Sequence, residues 1–443
     1  MKRHRRTHMR GHRGQAFADQ IRGLHNEQIL CVSIDVSKDF HVVLMHNGLG
    51  EIVTPSFEID IFRRGYEELV AAVEEARERS KAQVVLVGME PTGHYFENLA
   101  RTLLANGQSV TLVNSYAVKE NRSQQMMARE KTDEIDAAAI GDLLRRGEGH
   151  QFRPVEGVYL QLQQLDRLRM REVKIQTRYK NRIIGRLDII FPGLVLTRAA
   201  EERGYEPLFK MPFWECVTEQ QLIRVCPDPR RLAAMTPAEL RACFHAQGYR
   251  MGPVYARRII AYARKILWPD AALSEVHCAL LPLELAALEE VAGRVADVEE
   301  QMKDLVAKTP YQILAQVMGI TPVMAASFAG AVGDPSNYRH SRQVFRFSGL
   351  VSGRNDSGTR QKQGKDKRVV KTGSVHLRRV MGVMLNGLLR HQPVLSAYYH
   401  KMKQTKNSGV ARVATIRRAT GILWATVRDQ EAQSLIMKGV PGM

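Results

Sequence analysis

Apolar and polar positions alternate along this chain in ways that change character three times. Residues 29–36 (ILCVSIDV) are apolar at nearly every position, which predicts a strand covered on both faces. Residues 41–45 and 51–57 predict two further short strands, and 61–80 a helix. Residues 82–89 (AQVVLVGM) are valine-rich and predict another buried strand, punctuated by Thr92-Gly93. A helix over 95–105, a fifth strand over 109–113 and a helix over 132–146 complete the segment. Three successive strands followed by alternating helix and strand predict a mixed sheet with flanking helices.

From residue 151 the pattern becomes helical. Residues 157–186 predict a long basic helix that Pro192-Gly193 closes. Leu288, Val291, Val295, Val298, Met302 and Leu305 recur at heptad spacing, which predicts a coiled-coil seam. The two long helices can pair with each other or across a dimer, and the pattern fits both. Residues 192–275 read as a helical insertion to which no chemistry is assigned. Residues 310–319 and 323–332 predict two short helices around a turn. The expected organisation is a basic arm (1–28), an α/β domain (29–150), a helical region (151–309), a mainly helical C-terminal domain (310–430) and a tail (431–443).

Composition narrows the function. Of 443 residues, 44% are hydrophobic, enough for real cores, which excludes a mainly disordered chain. The net charge of +19 points to a polyanion, with nucleic acid first. The N-terminal MKRHRRTHMRGHRG is basic without a following apolar segment, so it does not read as a secretory signal. No uninterrupted apolar run has the length of a membrane span, and a cytoplasmic, nucleoid-associated protein without a membrane partner is expected. Five cysteines without a CxxC pair argue against a disulfide framework or zinc knuckle.

Four carboxylates stand at informative places. Asp35 closes the first strand and Glu90 follows the fourth. Asp133 and Asp136 lie three apart at the start of a helix, hence on one face. Gathered together they would repel unless divalent cations intervened. Their hard oxygens suit Mg²⁺ or Mn²⁺, and two such ions serve phosphoryl transfer. Singly, each has a plainer use: Asp133 as a helix N-cap, Asp136 as a first-turn acid, Asp35 in a turn.

The strings SIDVSKDFHVVL, GMEPTGHYFENLARTL, VNSYAVKENR and KTDEIDAAAIGDLL resemble the N-terminal domain of the DEDD-type insertion-sequence transposases. That group is related to the Piv/MooV-type DNA invertases. The resemblance implies a RuvC-like, ribonuclease H-like fold in which Asp35, Glu90, Asp133 and Asp136 match the four metal-binding carboxylates. The segment from LAQVMGITP to NDSG, followed by KTGSVHLRRVM, is similar to the second domain of the same family. There the resemblance implies a nucleophilic serine, which matches Ser357; Ser352 and Ser374 are neighbouring competitors. A Ser-Gly surface turn is the plainer reading of that dipeptide.

A serine nucleophile conserves the phosphodiester energy in a phosphoserine that a DNA hydroxyl can reverse, which suits strand exchange. The resemblance further implies a homo-oligomer, dimer or tetramer, and in some members a structured guide RNA. Arg167, Arg169, Arg171, Lys174 and Arg178 on the long helix are candidate nucleic-acid contacts. So are Arg354, Arg360, Lys362, Lys365, Lys367, Arg368, Lys371, Arg378 and Arg379 around Ser357. The competing expectation is a RuvC-like, metal-dependent, structure-selective nuclease with no covalent intermediate.

Overall fold

The computed structural model describes residues 19–125, 132–196, 198–209, 211–351 and 373–428. It divides after Pro154 into two compact units.

The first unit is built on a six-stranded sheet of order β3-β2-β1-β4-β5-β6. The strands are β1 (Ile29–Val36), β2 (Phe40–Asn47), β3 (Ile52–Asp60), β4 (Val84–Met89), β5 (Val110–Leu112) and β6 (His150–Gln151). β1, β2 and β3 form an antiparallel meander, β1, β4 and β5 run parallel, and β6 pairs antiparallel with β5. This is the mixed sheet with flanking helices that the pattern predicts. β1 is central and buried on both faces, which is why it reads as a continuous apolar run. β6, two residues long and polar, carries no periodicity and was not predicted.

The helices of this unit are α1 (Arg63–Ser80), α2 (Phe96–Ala105), α3 (Ser115–Gln125) and α4 (Asp133–Arg145). The larger core lies on one face, where Leu30, Val32, Ile34, Val87 and Met89 meet Leu69 and Val73 of α1 and Leu99 and Leu103 of α2. The opposite face carries α4. Leu144 meets Ile29, Cys31 and Leu86, while Ala137 meets Val42 and Leu44. Because Val42 pairs with Asp35, α4 runs antiparallel to β1 and begins at the C-terminal end of that strand.

The second unit is helical. α5 (Gly157–Ile190) is followed by α6 (Arg198–Glu202), α7 (Val217–Val225), α8 (Pro229–Ala234), α9 (Pro237–Ala246), α10 (Pro253–Lys265) and α11 (Ala271–Val306). α5 extends beyond the expected 186 because Leu187 and Ile190 enter the core formed with residues 194–288. α5 and α11 pair antiparallel: Arg169 bonds Glu299 at 2.6 Å, Arg294 bonds Glu172 at 3.0 Å and Arg186 bonds Glu284 at 2.8 Å. The heptad residues face into this chain. Leu288 joins the core formed with α7–α10, and Val298 and Met302 join a second core. α11 is long and apolar enough by length and composition to cross a membrane, yet its Glu284 and Glu299 are tied to Arg186 and Arg169 of α5.

The remaining helices are α12 (Pro322–Val332), α13 (Ser341–Phe347), α14 (Val375–His391), α15 (Pro393–Thr405) and α16 (Ser408–Arg428). Residues Pro310–Gln316 form a 3-10 helix, tighter than the ordinary helix expected there.

Candidate active site

The strand ends organise the candidate site. Ile34 of β1 pairs with Met89 of β4, so Asp35 stands next on β1 and Glu90 is the first residue past the end of the parallel β4. Side chains alternate between faces along a strand. Cys31 and Leu86 face α4, so Asp35 and Glu90 fall on that same face, at the end where α4 begins. Both are half-buried.

α4 starts there because Thr132 caps it: its hydroxyl accepts from the Ile135 N–H at 3.3 Å. Asp133, Glu134 and Asp136 occupy the first turn, where the helix dipole favours acids. Thr132 rather than Asp133 is the cap. Asp133 is exposed, and Glu134 accepts a hydrogen bond from Ser56 of β3 at 2.7 Å. Asp136 is 7% exposed and paired with Arg122 of α3. Two glycines let α4 lie close to the sheet. A Cβ on Gly88 would sit 2.9 Å from Leu144, and one on Gly141 would sit 2.2 Å from His46 Nε2.

Asp35, Glu90 and the two aspartates of α4 thus share one face and one end of the sheet. Their oxygen donors suit a hard divalent cation. Among the described residues no group of three or more acidic, histidine or cysteine side chains is drawn together as a metal shell. Arg122 holds the buried acid instead. Arg122 lies within VNSYAVKENR, but nothing in its local spacing singles it out, because its partner is fourteen residues away in α4.

In the second unit, Ser357 lies outside the described residues, as do Ser352, Arg354, Arg360, Lys362, Lys365, Lys367, Arg368 and Lys371. The two flanks of that segment are described and touch. Ser374 N–H donates to Phe347 O at 2.7 Å, and a Cβ on Gly373 would lie 2.5 Å from Gly349 N. Arg378 donates to Ser348 O at 2.9 Å and to Gly373 O at 2.8 Å. Arg379 pairs with Asp166, which also accepts from Ser327 at 2.7 Å. Ser374 caps α14 by accepting from Leu377 N–H.

On α5, Arg167, Arg171, Lys174 and Arg178 are exposed and form one stripe. None makes an ion pair among the described residues. Arg169 points elsewhere, into its pair with Glu299.

With this geometry in place, two family models match the chain. A transposase model of the DEDD type, DEDD_Tnp_IS110, covers residues 32–192. The model of the transposase IS116/IS110/IS902 family covers 311–400. The chain is 25% identical over 413 residues to an insertion element IS116 uncharacterized 44.8 kDa protein of Streptomyces clavuligerus, spanning 90% of this chain and 94% of that one. It is 24% identical over 435 residues to a transposase for insertion sequence element IS1111A of Coxiella burnetii, spanning 96% of each. These matches define the class of protein as a transposase. The chain belongs to the DEDD-type insertion-sequence transposase family, which brings with it the use of divalent metal.

Proposed function

We propose that this transposase cuts and rejoins DNA at the ends of its element through a serine intermediate. The observation that carries the reading is the convergence of Asp35, Glu90 and the first turn of α4 on one face and one end of the sheet. Asp35, Glu90, Asp133 and Asp136 would hold Mg²⁺ or Mn²⁺, two ions in all. The metal's part is to neutralise charge as a phosphodiester exchanges partners.

Ser357 supplies the nucleophile. Its Oγ–P bond forms as the P–O bond to the leaving DNA oxygen breaks, and a second DNA hydroxyl later displaces the serine. The joined flanks of its segment, Phe347–Gly349 and Gly373–Arg378, support a serine presented from a fixed base.

The stripe Arg167, Arg171, Lys174 and Arg178 is the nucleic-acid surface of the second unit. It tracks a phosphate backbone, of DNA or of a structured guide RNA, without reading bases. Leu273, Val276, Leu280 and Leu283 on α11 are all exposed at heptad spacing, which supports a homo-oligomer built on that helix. A cytoplasmic, nucleoid-associated location accords with these partners.

The test is a trapping assay with Mg²⁺, labelled DNA spanning the element's ends, and any co-purifying RNA retained. A protein–DNA adduct on denaturing gels, lost in Ser357→Ala and in Asp133→Ala, is the expected result. Cleavage without an adduct, unaffected by Ser357→Ala, would replace this reading with a RuvC-like nuclease.

A further inference from the structure

A cavity of about 690 Å³ opens beside His41 and Ile59, between the starts of α1 and α2. Ile59 and the cavity-lining Leu99 belong to the core on the face opposite α4. His41 pairs with Val36 at the end of β1, so the cavity and the carboxylates occupy the same end of the sheet on opposite faces. The same two loops serve both. Lys38 lies three residues beyond Asp35, and His94 lies four beyond Glu90. Each interval spans at most about 10–14 Å of extended chain.

Four of the lining side chains, Lys38, Phe62, Arg63 and Tyr95, have no evident folding purpose. Phe62 is 70% exposed at the N-cap of α1, where an aromatic side chain satisfies no N–H. Asp60 does that work: its Oδ1 accepts from the N–H groups of Phe62 at 3.0 Å and Gly65 at 3.1 Å, and its Oδ2 pairs with Arg64 at 2.7 Å. Tyr95, 37% exposed, stands at the N-cap of α2 and likewise offers no side-chain cap. Lys38 and Arg63 are exposed and form no ion pair among the described residues. His41 is only 4% exposed and forms part of the cavity's floor.

We propose that this cavity takes an unstacked nucleotide of the DNA strand being processed. Lys38 and Arg63 receive the phosphate. The rings of Phe62 and Tyr95 receive the base. The assignment rests on the transposase reading for its choice of DNA. Two aromatic faces beside two cations is the combination that holds single strands without sequence preference. A strand so held would be anchored within a few residues of Asp35 and Glu90, which fixes its direction past them.

The test uses full-length protein in EDTA with a short mixed-sequence single DNA strand carrying 2-aminopurine, read by fluorescence. Wild type should bind and quench the probe. Phe62→Ala and Tyr95→Ala should each weaken binding about tenfold and relieve quenching, with Tyr95→Phe restoring both. Both rings are exposed, so the variants should melt as wild type. Unchanged affinity and quenching in the doubly substituted protein would overturn the proposal. So would tighter, equally quenched binding of an RNA strand of the same sequence, which would assign the cavity to RNA. Because no metal is present, failure of the carboxylate reading does not enter this measurement and shows only in the Mg²⁺-dependent trapping assay.

Discussion

Arg122 and Asp136 form an ion pair across α3 and α4, with the carboxylate side chain 9% and the guanidinium 19% exposed. Desolvated charges of this kind are costly to separate, since removing one leaves the other buried and uncompensated. Arg122→Ala should therefore destabilise the N-terminal unit by about 3 kcal/mol in EDTA, measured by urea denaturation. Mn²⁺ should recover part of that loss in the variant, because a cation at the strand ends can take the place of the guanidinium. A loss that Mn²⁺ leaves untouched would separate Asp136 from the metal site.

Gly141 sets how closely α4 approaches the sheet. A methyl group there would lie 2.2 Å from His46 Nε2 and 3.2 Å from Ser33 Oγ. Helix propensity favours alanine by about 1 kcal/mol, but overpacking costs about 1–3 kcal/mol. We expect the clash to win, because His46 is fully packed and its Nδ1 is engaged with Asn47 O at 2.8 Å. Gly141→Ala should lower the urea midpoint and, by lifting α4, weaken Mg²⁺-dependent adduct formation more than it weakens DNA binding.

These two relationships show which parts of the fold were legible in the chain. β1 and β4 announce themselves because strands covered on both faces lose their polar alternation. The KTDEID string marks the start of α4 through its first-turn acids, a local signal, although the cap is Thr132 and not the Asp133 that the sequence suggests. Placing α4 on the same face as Asp35 and Glu90 needs the strand register, which no single segment carries. The Arg122–Asp136 pair and the fit of Gly141 against His46 are long-range in the same sense. The heptad residues of α11 were visible, but whether they meet α5 or a second copy is settled only by Arg169, Arg186 and Arg294 finding their glutamates within the chain.

Glu219 of α7 is 2% exposed, and burial pushes its carboxyl up to about 8. The folded chain therefore keeps a proton that the unfolded chain releases near pH 4.5. Between those values the native state binds more protons, so stability falls as pH rises and levels off above about 8. Wild type should lose on the order of a few kcal/mol between pH 5 and 8 from this group. Glu219→Gln should flatten that dependence in urea melts at a series of pH values. Parallel pH profiles would show that Glu219 is ionised in the fold.

The described residues on either side of the segment bearing Ser357 meet at one point. A Cβ at 373 would lie 2.1 Å from Phe347 O, which is backbone and cannot swing aside. Arg378 closes the same point through two carbonyls. Gly373→Ala and Arg378→Met should therefore reduce the DNA adduct sharply. α14 rests on Leu377, Val380, Met381 and Met384, all buried and untouched by either change. Far-ultraviolet circular dichroism should accordingly be retained. Normal adduct levels in both variants would show that the base of this segment does not position the serine.

The stripe on α5 makes a prediction that its neighbour Arg169 controls. Arg167, Arg171, Lys174 and Arg178 span about 16 Å of one helical face at 1.5 Å per residue. If each meets a phosphate, replacing one with glutamine removes about one released counterion. The slope of log K against log salt should then fall by about 0.7–0.9 per residue, equally for DNA of any sequence. Arg169→Gln should leave the slope unchanged, because its guanidinium is already bound to Glu299 at 2.6 Å, and should instead loosen the α5–α11 pair in thermal melts. Filter binding across a salt series distinguishes the two behaviours. A slope altered by Arg169→Gln but not by Arg171→Gln would move the nucleic-acid surface to another face of the helix.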